Sequence, residues 1–145
     1  MASIADDNLL ITAVKNNDEA AVNHLLTEQN IDINTTDADG SPPLFHVVRG
    51  NHAAIVQLLL TTNSIDINLQ NNKGFSPLTI STTLRLEEIF QQMLDTGHTD
   101  LNFKCHDGRS FLSYAASEGH EGIVKLLLAL PGIDVNASDP RTGHR

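Results

Sequence analysis

Apolar residues recur along this chain in two alternating short patterns. The first reads Leu44, Val47 and Val48, and again Leu112, Ala115 and Ala116. The second reads Ile55, Val56, Leu59 and Leu60, and again Ile123, Val124, Leu127 and Leu128. Both spacings put the apolar side chains on one face of a helix. A break, Asn51 or Gly119, separates the two patterns. Ahead of the first stands a turn dipeptide, Asp39-Gly40 or Asp107-Gly108, where glycine supplies a positive φ at little steric cost. Pro43 and Pro77 follow, at the first turn of a helix, which tolerates a missing N–H. The predicted unit is therefore turn, short helix, break, short helix. Helices this short are not stable alone, so stacking between neighbours has to hold them.

The repetition has one fixed length. Ile31-Asp32-Ile33-Asn34, Ile65-Asp66-Ile67-Asn68, Thr99-Asp100-Leu101-Asn102 and Ile133-Asp134-Val135-Asn136 place their asparagines 34 residues apart. Gly40, Gly74 and Gly108 keep the same period, as do Leu10, Leu44, Leu78 and Leu112, and Leu26, Leu60, Leu94 and Leu128. Several registers sharing one period indicate a solenoid of repeated units.

These units resemble the ankyrin repeat. The fourth carries the resemblance best, in Asp107-Gly108, Leu112, Ala115-Ala116, Gly119-His120, Ile123-Val124-Lys125-Leu126-Leu127-Leu128 and Asp134-Val135-Asn136. The second is close, with Pro43-Leu44, His52 and Ile55-Val56-Gln57-Leu58-Leu59-Leu60. The unit is one residue longer than the common ankyrin length, and the extra residue falls in the loop before Ile-Asp-Ile-Asn. The resemblance implies an all-α ankyrin-repeat solenoid of about four stacked helix pairs with short β-hairpin-like fingers. It also implies a concave face that binds other proteins.

On this reading residues 1–145 form a single domain. Repeat 1 spans 4–36 and serves as an N-terminal cap with Asp6, Asp7 and Asn8 outside; repeat 2 spans 37–70, repeat 3 71–104 and repeat 4 105–138. Residues 139–145 make the incomplete finger of a fifth repeat. The third repeat is degenerate, with Ser81-Thr82 where the family has Ala-Ala and Arg85-Leu86 where it has Gly-His. The hydroxyls of Ser81 and Thr82 are expected to bond the carbonyl one turn back. The last helix pair has no polar successor, so its outer face is expected to meet a partner or a second copy, or to belong to a longer array.

Composition narrows the function classes. Aromatics are 4% with no Trp, so the core has to be aliphatic. Eighteen acidic and nine basic residues give a net charge of −9, which disfavours nucleic acid, whose binders need cations against phosphate. The single cysteine, Cys105, cannot form an internal disulfide and suits a reducing compartment. No apolar run approaches the ~20 residues of a membrane span. Asp6 and Asp7 stand where a secretory leader would be positive. The expectation is an intracellular protein, cytoplasmic or nuclear, that contacts neither nucleic acid nor membrane.

Candidate chemistry is sparse. Seven histidines show no zinc-ligand spacing with companion cysteines or carboxylates, so neither a metal nor a cofactor is expected. His52 and His120, at the family's Gly-His position, are expected to bond between neighbouring loops. Nucleophile-elbow, phosphate-loop and zinc-protease signatures are missing. Two columns face the groove in the family geometry: Thr12, His46, Ile80 and Tyr114, then Lys15, Arg49, Thr83 and Ser117. His46, Arg49 and Tyr114 could together line one pocket, with a base and an anion-stabilising cation, which is the enzyme or small-ligand alternative.

The leading expectation is partner binding through the groove and finger tips. The residues assigned to it are Asp39, Ser41, His46, Arg49, Lys73, Phe75, Thr83, Arg109, Tyr114, Ser117 and Glu118. Arg49, Phe75, Arg109 and Tyr114 are the expected anchors, because interfaces enrich aromatics and arginine at their hot spots. Phe45 and Leu84 extend the apolar set, with packing between adjacent fingers as the other reading of Phe45 and Phe75. A groove neutral to slightly basic on an acidic body suits an acidic partner segment. Self-association as a homodimer through the uncapped C-terminal repeat is the second expectation.

Overall fold

The computed structural model describes residues 4–27, 31–62, 64–100 and 108–131, with side chains from Leu9 onward. Within them run eight helices in four pairs. These are α1 (Ile4–Lys15) with α2 (Glu19–Leu26), α3 (Pro43–Arg49) with α4 (Ala53–Leu60), α5 (Pro77–Thr83) with α6 (Glu87–Asp95), and α7 (Phe111–Ser117) with α8 (Glu121–Leu128). No extended strand forms among the described residues, and no helix there is long and apolar enough to cross a membrane. The polar exterior expected of Asp6, Asp7 and Asn8, the loop residues 28–30 and 63, Cys105 to Asp107 and the fifth finger at 139–145 lie outside what is described.

Each pair turns at one residue in the left-handed region. Asn17, Asn51, Arg85 and Gly119 have φ of 53°, 58°, 60° and 74° at successive 34-residue positions. Glycine and asparagine enter this region readily, whereas arginine carries a Cβ that crowds the following carbonyl. The second helix then begins. Asp18 caps α2 by accepting from Ala21 N–H at 3.1 Å. His52 and His120 hold the same position in α4 and α8 but make no side-chain cap bond. Among the described residues, neither histidine makes the loop-to-loop bond expected of it. The ring of His52 folds back over Gly50, where a Cβ would come within 2.4 Å of Nε2. His120 is buried with Nδ1 lacking a hydrogen-bond partner.

The core is a ladder of equivalent positions. First helices stack on one another, α1 on α3 on α5, and second helices do likewise, α2 on α4 on α6 on α8. Leu10, Leu44 and Leu78 are wholly buried, as are Val22, Val56 and Phe90. By the 34-residue register, the corresponding positions at the first two junctions are Val22 with Pro43 and Val56 with Pro77. At the third junction both positions are aromatic: Phe90 stacks on Phe111 with centroids 5.8 Å apart and ring planes 15° from parallel. Larger side chains at both positions fill the same joint in a different way.

The buried hydroxyls of the degenerate third unit all find partners. Ser81 and Thr82 are wholly buried, and both hydroxyls donate to Leu78 O, at 2.8 and 3.0 Å, as expected. Ser76 and Thr79 close a capping box at the start of α5. The outer loops are joined by the motif asparagines. Asn34 donates through Nδ2 to Ser64 O and accepts at Oδ1 from Asp66 N–H, both at 2.8 Å. Asn68 repeats this with His98 O at 3.0 Å and Asp100 N–H at 2.8 Å. One side-chain amide thus satisfies two backbone groups of the next unit.

The last unit differs in exposure. Val14, Val48 and Thr82 are wholly buried by the unit that follows them, but Ala116, at the same position, is exposed. Leu128 is 54% exposed whereas Leu127 points into the core at 0%. The predicted buried stripe of α8 therefore narrows to Ile123 and Leu127, with Val124 half-buried.

Candidate functional site

Two fingers are described in full, and each is built around an acceptor side chain. In the finger at 37–41, Asp37 Oδ1 accepts from the N–H groups of Asp39 at 2.9 Å and Ser41 at 3.1 Å. In the finger at 71–75, Asn71 Oδ1 accepts from the N–H groups of Lys73 and Phe75, both at 3.0 Å. Backbone pairs close both loops in hairpin fashion, Asp37 N–H to Ser41 O and Asn71 N–H to Phe75 O. Neighbouring fingers touch closely, since Asn72 N–H donates to Asp39 O at 2.9 Å. Gly40, at φ +75°, permits that approach; a Cβ there would sit 2.4 Å from Asn72 Oδ1.

Between these fingers and the first helices lies an open cleft of about 240 Å³. Asp39 and Ser41 line it from one finger, Asn71, Lys73 and Phe75 from the other, Phe45, His46 and Arg49 from α3, and Ile80 from α5. Six of the expected site residues (Asp39, Ser41, His46, Arg49, Lys73 and Phe75) thus converge on one place. Ser41 is buried and accepts from Asn71 Nδ2 at 3.2 Å, which ties the two fingers across the cleft. Phe45 is 5% exposed, so its ring belongs to the core beneath the cleft.

His46 sits at the cleft's inner edge with Nε2 2.8 Å from Asp37 Oδ2. Lys15 Nζ reaches the same oxygen at 3.8 Å. Burial raises the Asp37 carboxyl, but Ser41 N–H, His46 and Asp39 N–H outweigh that and hold it below the usual carboxylate value. Burial also lowers His46; Asp37 pulls it up, while Lys15 and Arg49 push it further down. At neutral pH a neutral imidazole therefore donates to a charged carboxylate. Asp37 was not among the residues expected at the site. Its signal was its register with Asn71, one unit on, as a turn-opening acceptor two residues before a backbone N–H.

The other expected residues fall elsewhere. Tyr114 is 3% exposed, and its hydroxyl bonds Thr83 across the third junction. Arg109 is 4% exposed; its guanidinium bonds Ser117 Oγ and lies 5.2 Å from the centroid of the Tyr114 ring. These two are support for α7 rather than exposed anchors, because the arginine folds back along the helix instead of projecting from its finger. The cleft therefore takes His46 and Arg49 but not Tyr114, and no hydrogen bond joins His46 Nδ1 to a hydroxyl among the described residues. Thr83, Ser117, Glu118 and Leu84 are exposed beyond the cleft. No group of three or more histidine, cysteine and acidic residues suited to a metal occurs among the described residues.

Two overlapping matches to the family model for ankyrin repeats, in three copies, span residues 10–104 and 63–139. No curated protein matches the chain.

Proposed function

The chain belongs to the ankyrin-repeat family, whose repeats are generally protein–protein interaction modules, and on that basis we propose that it binds a partner protein in the cleft between its fingers and first helices. The observation that carries this reading is the composition of that cleft: exposed Arg49 and Lys73 flank the half-buried ring of Phe75. Interfaces concentrate their energy in such arginine and aromatic groups. The family is typically non-enzymatic, and the His46–Asp37 pair acts here as a strut between α3 and a finger. Repeats at 4–36, 37–70, 71–104 and 105–138 form the binding scaffold, in an intracellular setting that suits the lone Cys105.

The test takes a protein binder selected from a displayed library on the intact chain. Arg49→Ala and Phe75→Ala should each weaken it by about 1–2 kcal/mol, with urea unfolding unchanged. Unaltered affinity in both variants places the interface elsewhere.

A second reading, self-association through the last repeat, draws support from the exposure of Ala116, whose equivalents are buried in earlier units, and of Leu128, whose equivalents there are half-buried. Leu128→Glu is the variant to use, since Leu127 is core and its replacement would unfold the repeat. A monomer by sedimentation at high concentration rejects this reading.

A further inference from the structure

We propose that the cleft selects an acidic segment of its partner, with a carboxylate seated between Arg49 and Lys73 and a neighbouring apolar side chain on Phe75 and Ile80; this rests on the binding reading above.

The charges in and around the cleft divide into those already used and those still available. Asp37 is used, because its two oxygens take His46, Lys15 and two backbone N–H groups. Arg49 and Lys73 are available: both are exposed, and among the described residues neither side chain makes an ion pair or hydrogen bond. Asp39 is the one carboxylate of the lining, and its backbone is fixed by Asn72 and Asp37. The cleft therefore keeps a single net positive charge on a chain whose total is −9.

The acidic side chains lie mainly away from this place, on the second helices and outer loops, as in Glu19, Asp32, Asp66, Glu87, Glu88 and Asp95. A basic segment has all of that surface to choose from and is repelled at the cleft. An acidic segment is repelled by the body and finds its partners here. A planar guanidinium pairs a carboxylate through two parallel hydrogen bonds, and a lysine beside it adds a mobile second donor. The apolar side of the cleft sets what stands next to the carboxylate.

The experiment selects peptides from a displayed random library on the intact chain and measures the winners against four variants. Asp and Glu should be enriched beside large apolar residues. Arg49→Gln and Lys73→Gln should each weaken the selected peptides about tenfold, and added salt should do the same to the wild type. Asp39→Asn should tighten binding several-fold, an effect that mere damage to the fold would not give. Basic or uncharged winners that still fail on Phe75→Ala overturn the acidic preference and leave the cleft as the interface. Winners indifferent to all four variants overturn both readings, and so does a selection without enrichment.

Discussion

Asp37 and His46 join a finger to a helix: Nε2 of His46 lies 2.8 Å from Oδ2 of Asp37, whose other oxygen holds the finger's own turn. One carboxylate thus fixes both the shape of the loop and its distance from α3. Asp37→Ala leaves two backbone N–H groups and an imidazole without their acceptor, and should cost about 2–3 kcal/mol by urea unfolding. A change below about 0.5 kcal/mol would mean that water replaces the carboxylate fully.

The histidines set the acid side of stability. Burial lowers His46 below its ordinary 6.5, against Asp37 and with Lys15 and Arg49. It lowers His120 likewise, with Arg85 adding to it and Glu118 and Glu87 opposing. The unfolded chain takes up these protons first as pH falls, so stability drops from about pH 6.5 downward and is lost as pH passes through the lowered folded values. Asp37 shifts the same way, but its contribution persists until pH falls below 3.8. The urea midpoint should decline between neutral pH and the mid-acid range, less steeply in His120→Gln. A midpoint that is flat or rising toward acid contradicts this.

Arg85 should be replaceable with profit. It holds φ 60° where the fourth unit has Gly119. Arg85→Gly relieves a left-handed Cβ clash worth about 1–2 kcal/mol, offset in part by glycine's larger unfolded-state entropy. A net gain of about 0.5–1 kcal/mol in thermal or urea unfolding is expected. The converse, Gly119→Ala, should lose about 1 kcal/mol from backbone strain alone, since a Cβ there meets no atom within 4 Å.

Asn34 and Asn68 each close two bonds to the following unit. Either one replaced by alanine should lose about 1–2 kcal/mol. Hydrogen exchange should quicken at Asp66 in the first variant and at Asp100 in the second. Uniform loss of protection along the whole chain would show that the asparagines act otherwise.

Much of this was legible in the sequence, and the failures share a cause. The period, the order of turn and helices, and the bonding of Ser81 and Thr82 to Leu78 O all follow from local backbone geometry, which spacing encodes. Where a long side chain goes after leaving its column is decided by neighbours that spacing does not reveal. Arg109 had the right register to be an anchor, yet it lies along Tyr114 and Ser117. His52 and His120 matched a family position without making the bond expected of it, and Asp37 entered the site only through its contact with His46.

The Phe90–Phe111 stack should be strongly coupled. Each alanine replacement should cost about 3–5 kcal/mol, and the double variant should cost less than the two together by about 0.5–1.5 kcal/mol. Additive losses would mean that the rings pack independently.

That joint also gives the array an address system. A tandem copy of the second unit would set Val56 against Pro43, a match this scaffold already uses. A copy of the third would set Phe90 against Pro77, and a copy of the fourth would set Val124 against Phe111, each a mismatch in bulk. The units look interchangeable by period but are numbered by their seams, so lengthening of this array by duplication is open at the second unit and closed at the third and fourth.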